Sequence, residues 1–503
     1  MFTIEGKSVK EFLHAEWQWQ LHDNPEYASQ AGQHEFDNSL QDLSPAAFER
    51  RMEHNAQIII TLKDALSHSD DLSDMERWHL DLLMKSITDE QRAYELGCHL
   101  YPVNSIGYGG VHNNFIEALD WLGEANKADN FMCRLGLFPQ QCNQYISLLR
   151  KGISEGQVAS VTMVRKVPEQ IRTIITALEE NKGPICELLV STGLSGHEEE
   201  ARLKDGMISA LRNLLALMEG EYMSAARTTC GAKGLPNGGD VYRHCLQYHT
   251  TLSSMSPEDV HELGLREVAR IAGRYQRDVL DALGFTGSLE EFVEKCKSDE
   301  TQYYKKEADI LDGYRILCSH INSKLGQYFS HLPSAQVDIV PLNSPTAPAA
   351  YYMQGTADGS RPGRFYVNVS NIHQRPIYEM VALALHEAVP GHHLQMALAL
   401  ENDAIPAFLR FTEDRRYEYC PARRNMYTAY MEGWALYCEA LGEEMGMYAS
   451  PMSVFGRLSM EMMRAARLVV DTGIHYMGWS VEQAIEYMIE KTGELVVFRY
   501  APF

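Results

Sequence analysis

Leu383-Ala384-Leu385-His386-Glu387-Ala388-Val389-Pro390-Gly391-His392-His393-Leu394-Gln395 places three histidines and a carboxylate within eight residues, between two apolar helical runs. Neutral imidazoles are preferred zinc ligands. A Glu directly after the first His is where zinc hydrolases keep the general base that activates water. The strict form of this arrangement, H-E-x-x-H, sets its ligands one helical turn apart. Here Pro390 interrupts, and the next His stands at 392. In an unbroken helix, residues seven apart share a face but lie about 10.5 Å apart along the axis, which makes His386 and His393 a strained pair for one ion. A bulge at Pro390-Gly391 instead brings His392 beneath His386, because Pro removes a backbone donor and Gly tolerates unusual dihedrals. His386 and His392 are therefore the expected metal ligands, Glu387 is the expected base, and His393 is supporting or substrate-facing, unless it exchanges roles with His392.

A catalytic zinc needs a third protein ligand and an open position. Tyr430-Met431-Glu432-Gly433-Trp434-Ala435-Leu436-Tyr437-Cys438-Glu439 offers Glu432, in a stretch otherwise so aromatic and apolar that an unpaired carboxylate would be costly to bury. Gly433 beside it permits close backbone approach. Glu439, on the same face two turns later, is a candidate to orient a ligand histidine from behind. The competing reading makes Glu432 a surface residue of an amphipathic helix.

Further on, Arg464, Arg467, Asp471 and His475 recur at intervals of three and four among Leu468, Val469, Val470 and Ile474. They form a polar stripe on a helix that is otherwise covered. A substrate carboxylate, an oxyanion or the ligand acids would satisfy such a stripe, and so would a structural ion-pair network. His475, Tyr430 or Arg467 are the candidates to stabilise an oxyanion. Arg464 or Arg467 could clamp a peptide's terminal carboxylate through two parallel hydrogen bonds, which points to carboxypeptidase-like action.

Composition narrows the function classes. A chain of 503 residues that is 45% hydrophobic can bury a large core. Its net charge of −23, with no basic run, argues against nucleic acid as a partner and disfavours acidic substrates. Ten scattered cysteines without a C-x-x-C read as reduced thiols of a cytoplasmic protein. The first residues lack the apolar segment of a signal peptide, and no stretch is apolar enough for a membrane span.

Apolar spacing of three and four predicts helices within 12–21, 48–66, 75–96, 141–153, 164–178 and 208–218. The Gly-, Tyr- and Asn-rich stretch 101–110 is a loop, either a plain connector or part of a cleft. Four glycines in 231–239 mark the expected boundary between an N-terminal helical subdomain, 1–230, and a catalytic one, 231–503. Ser256-Pro257-Glu258-Asp259 reads as a capped helix start. The proline-rich 331–350 reads as an extended linker. Two alternating runs, 349–354 and 364–369, read as an antiparallel β-hairpin. It either offers an edge strand to an extended peptide or only packs on the helices. Arg361 in its turn and Tyr366 in its second strand are candidate substrate contacts. The expected fold is mainly α, with this small β element near the cleft.

These stretches together resemble the DUF885 family within the metallopeptidase-like gluzincin (MA-type) group. The match takes in Asn24-Pro25-Glu26-Tyr27-Ala28, Gly234-Leu235-Pro236-Asn237-Gly238, Asp358-Gly359-Ser360-Arg361-Pro362-Gly363 and the three segments above. The resemblance implies a large helical fold like that of zinc-dependent oligopeptidases and carboxypeptidases, with His386, His392 and Glu432 as ligands of Zn2+ and Glu387 as base. Family members usually continue with a segment reading roughly P-G-Q-A-L-x-Y-K-x-G, where this sequence ends at Arg499-Tyr500-Ala501-Pro502-Phe503. The expected function is hydrolysis of short peptides by a zinc metallopeptidase. The alternative is a catalytically impaired peptide-binding or scaffold protein that keeps the architecture.

Overall fold

A computed structural model describes residues 3–105, 109–193, 198–344, 347–356, 359, 361–411, 421–425 and 427–493. The chain packs into two units, Met1–Tyr248 with Ala404–Met426, and His249–Asp403 with Tyr427–Phe503.

The first unit is helical and includes α1 (Val9–Asp23), α2 (Pro45–Ser67), α3 (Asp74–Glu95), α4 (Lys127–Glu155), α5 (Glu198–Leu217) and α6 (Gly238–Thr250). Ser8, Ser44 and Ser73 cap the first three by accepting from backbone N–H groups of the opening turn. α4 begins well before the expected 141 because it runs straight through Pro139. Its Arg134 is fully buried and donates to the carbonyls of Pro25, Ser39 and Ala118 and to Ser29 Oγ. The Asn24–Ala28 motif has a structural role in the same region. Glu26 accepts from Gln41 N and Gln141 Nε2, and Tyr27 OH donates to the Phe411 carbonyl at 2.5 Å.

The unit boundary falls at 248/249, not 230/231. The glycines of 231–239 form a turn inside the first unit, because Leu235 before α6 and Val241 within it join that unit's hydrophobic core. Residues 404–426 also belong to this unit. Arg424 donates to Glu90 Oε2 (3.0 Å) and Asn55 Oδ1 (2.6 Å), while the Arg423 carbonyl accepts from Tyr248 OH (2.7 Å).

In the second unit, α7 (Pro257–Arg274) opens with the expected Ser256 cap and a reciprocal bond from Ser256 N to Asp259. α8 (Glu307–Leu325) precedes a three-stranded sheet of β1 (Val337–Leu342), β2 (Ala350–Met353) and β3 (Gly363–Asn368) in the order β1-β3-β2. β2 and β3 make the expected antiparallel pair, with Ala350 opposite Val367. The supposed linker 331–350 contains β1, which pairs parallel to β3 with Val337 opposite Gly363, so the sheet is mixed. Pro341 masked this strand from a reading of composition, but Pro is tolerated on an edge strand. Alternation turns Ala350, Tyr352, Phe365 and Val367 to the buried face. That face packs into one core with Ile310, Tyr314 and Ile321 of α8 and with α9 (Met380–Glu387) through Leu383, Ala384 and Leu385. α10 (His392–Glu401), α11 (Thr428–Glu444) and α12 (Pro451–Thr472) complete the surroundings of α9. Gly264 of α7 lies against α12, where a Cβ would stand 2.8 Å from Val469 Cγ2.

Candidate metal centre

α9 ends one residue beyond the first histidine. Ala388 leaves helical dihedrals (φ −97°, ψ −101°), the Val389-Pro390 peptide is cis, and a new helix starts at His392. The interruption is thus a complete break and not the bulge expected from the sequence. Gly391 is required in it, because any Cβ would collide with the carbonyl oxygen of His386. The Trp434 indole N–H bonds the carbonyls of Pro390 (2.9 Å) and Gly391 (3.3 Å), tying α11 to the break.

The result brings His386, His392 and Glu432 together, with one ligating atom of each within 4.8 Å of the others. Glu432 Oε2 lies 3.3 Å from His386 Nε2, and its Oε1 lies 3.6 Å from His392 Nε2. Tetrahedral ligands at ~2.0–2.1 Å from zinc stand roughly 3.4 Å apart, so these separations suit that ion. The imidazole rings cross at 88°, both are buried, and Glu432 stays 50% exposed on the open side. Glu432 is therefore not the deeply buried acid that its apolar neighbours suggested. Glu387, following His386, is buried and takes no hydrogen bond from the described residues.

Behind the cluster, Glu439 is fully buried and its Oε1 sits 2.8 Å from His386 Nδ1. Arg464 reaches the same oxygen at 3.3 Å and Nδ1 itself at 3.2 Å. Since Nδ1–H donates to the carboxylate, Arg464 and the imidazole are fellow donors to Glu439. Nε2 is thereby left facing Glu432. Burial and Arg464 act to lower the His386 pKa, but Glu432, Glu439 and the charge of Glu387 outweigh them and raise it to about 9. Burial acts to raise the Glu432 pKa, but the two imidazoles overcome it and hold the carboxyl far below the usual carboxylate range.

Other expected site residues lie elsewhere. His393 turns away from the cluster. Tyr352 OH is 3.1 Å from its Nδ1 and the Ala335 carbonyl is 3.1 Å from its Nε2, so both ring nitrogens are engaged. Burial lowers its pKa, which suits a neutral ring in that role. Tyr430 is 64% exposed and lies two residues from Glu432, a spacing that puts two side chains on different helix faces. His475 lies in a π-helical turn, Gly473–Met477, outside the three-residue group. Arg361 donates back to the Gln354 carbonyl within its own turn (3.3 Å). Tyr366 stacks on Tyr351 on the sheet face opposite the one that packs on α9, so neither it nor Arg361 joins the cluster. Arg464 is engaged with Glu439 and is not available as a clamp. Arg467 makes no hydrogen bond or ion pair with the described residues. Sequence reading missed the role of Trp434, although an indole two residues from a ligand was a visible signal, and missed Tyr352, which carried none. The ending 494–503, and Asp358 and Ser360 of the turn motif, lie outside the described residues.

No described helix is long and apolar enough to cross a membrane. Two solved structures share the fold. A protein from Colwellia psychrerythraea, described as a "putative lipoprotein", is 22% identical, with a TM-score of 0.82 over 98% of this chain and 88% of that one. A "putative lipoprotein of unknown function" from Shewanella oneidensis is 14% identical, with a TM-score of 0.60 over 97% of this chain and 87% of that one. No curated protein matches the sequence. The family described as "Bacterial protein of unknown function (DUF885)" matches residues 25–495, nearly the whole chain, and the protein belongs to that family.

Proposed function

We propose that this protein is a zinc-dependent metallopeptidase acting on short peptides, with a metallopeptidase-like helical fold. The reading is carried by one observation: two imidazole Nε2 atoms and a carboxylate converge at zinc-compatible separations beside Glu387. His386, His392 and Glu432 hold the ion. Bound zinc supplies Lewis acidity toward an attacking water and toward the scissile carbonyl. Glu387 accepts the proton of the attacking water on its carboxylate and passes it to the departing amine nitrogen. Glu439 keeps the His386 proton on Nδ1, and Arg464 donates to the same Glu439 oxygen. Trp434 fixes the break that sets His392 beneath His386. The described cysteines are free thiols, most of them buried, which supports a reducing, cytoplasmic setting.

The test is a mixed library of short peptides incubated with zinc-loaded protein and read by mass spectrometry. New termini should accumulate with time, cease on chelation, return with zinc, and be missing from Glu387→Gln. Peptides retained but uncleaved under all conditions would overturn the hydrolase reading in favour of a binding protein.

A further inference from the structure

α12 carries two arginines one turn apart, and their surroundings divide their roles. Arg464 is engaged: its guanidinium bonds the Met460 carbonyl (3.2 Å), pairs with Glu439 (3.3 Å) and stands 3.2 Å from His386 Nδ1. Arg467 follows on the same helix face, about 4.5 Å further along the axis. It forms no hydrogen bond or ion pair with the described residues. Asp471, one turn beyond, does not close an ion pair with it. Solvent reaches Arg467, yet burial is the first cause lowering its pKa, followed by repulsion from Arg464 and opposed by Asp471 and Glu432. Arg467 is thus a solvent-reachable guanidinium one turn from Arg464 and within electrostatic reach of Glu432. With Arg464 taken up by Glu439, Arg467 is the guanidinium of this stripe that no carboxylate among the described residues pairs directly.

We infer that Arg467 binds the C-terminal α-carboxylate of the peptide substrate, so that the enzyme removes residues from free C-termini. The inference rests on the metallopeptidase reading above and adds the polarity of the substrate. The planar fork of Arg467 donates to both carboxylate oxygens at once, a geometry Lys cannot reproduce. Its position one turn from Arg464 fixes the last residue of the peptide beside the metal centre and presents the preceding peptide bond to Glu387. Water then adds its oxygen to the carbonyl carbon, the C–N bond breaks, and the proton taken by Glu387 leaves on the amine of the released amino acid. Arg467 is a substrate-binding residue, and its neighbour Arg464 is a positioning residue for His386.

The experiment pairs N-acetyl-Phe-Leu with its C-terminal amide. Binding is measured calorimetrically on zinc-loaded Glu387→Gln protein, and turnover of N-acetyl-Phe-Leu and its amide is measured on wild type. The free acid should bind about ten- to a hundredfold more tightly than the amide, the range for a hydrogen-bonded charge pair. Adding Arg467→Ala should abolish the difference, and Arg467→Lys should restore only part of it, while both variants retain one equivalent of zinc. Equal binding of acid and amide, or a difference that survives Arg467→Ala, overturns the clamp. If the binding difference holds but neither peptide is cleaved by wild type, the clamp stands and the peptidase reading fails.

Discussion

Zinc binding to this centre should be linked to one proton on His386, and the structure sets the size and direction of that linkage. With a pKa of about 9 in the metal-free protein, His386 is almost wholly protonated at neutral pH, whereas a ligand must be neutral. At pH 7 two pH units separate the solution from that pKa. The proton therefore competes about a hundredfold, or about 3 kcal/mol. Apparent zinc affinity should rise about tenfold per pH unit from 7 to 9 and then level off. The metal-free protein should show the opposite trend. A histidine pKa raised from 6.5 stabilises the fold fully below about 6.5 and loses that contribution as pH climbs through about 9. Competition with a chromophoric chelator across pH 6.5–10, with thermal midpoints in excess chelator, measures both slopes. Because Glu439 is a principal cause of the raised pKa, Glu439→Gln should move the levelling point to lower pH. It should also weaken zinc about ten- to a hundredfold above that point. A zinc affinity that is flat from pH 7 to 9 would show that no proton has to leave His386 for zinc to bind.

Glu387→Gln should keep full zinc occupancy and lose at least about a hundredfold in turnover; near wild-type rates would remove the base assignment. His393→Ala should retain stoichiometric zinc while lowering stability by about 1–3 kcal/mol, from the loss of its bonds to the Tyr352 hydroxyl and the Ala335 carbonyl, whereas His392→Ala should lose the metal. If the two variants behave in reverse, the ligand has been misassigned. Trp434→Phe should leave the circular dichroism spectrum unchanged yet weaken zinc several-fold and alter the visible spectrum of the cobalt-substituted protein. An unaltered cobalt spectrum would show that the indole bond does not set the ligand geometry.

Much of the centre was legible because its chemistry is written in local spacing. Pro390-Gly391 between the histidines announced a distortion, and a Glu in an apolar helix asked for a partner. The extent of the distortion was not legible. Whether a Pro-Gly step bulges a helix or ends it depends on what packs around it, here the Trp434 indole and the His386 carbonyl that excludes a side chain at 391. The same limit explains the two arginines. Equal spacing on α12 made Arg464 and Arg467 equivalent in sequence, and only the position of Glu439 on a different helix separates the engaged one from the free one. Glu432 came out more exposed than its neighbours implied, because helix composition reports average burial and not which face is open. In the fold, β1 was hidden by Pro341, since parallel pairing with β3 is a long-range feature that carries no local signal. The unit boundary was misplaced for a related reason: glycines mark a turn, and whether that turn ends a core depends on where Val241 packs.

The central claim is that His386, His392 and Glu432 together hold one zinc ion, and anomalous diffraction at the zinc edge from crystals of zinc-loaded protein tests it most directly. A single strong peak is expected, bounded by the two Nε2 atoms and the Glu432 carboxylate, with His393 still bonded to Tyr352. A peak that engages His393, or no peak among these three residues at stoichiometric zinc, would contradict it.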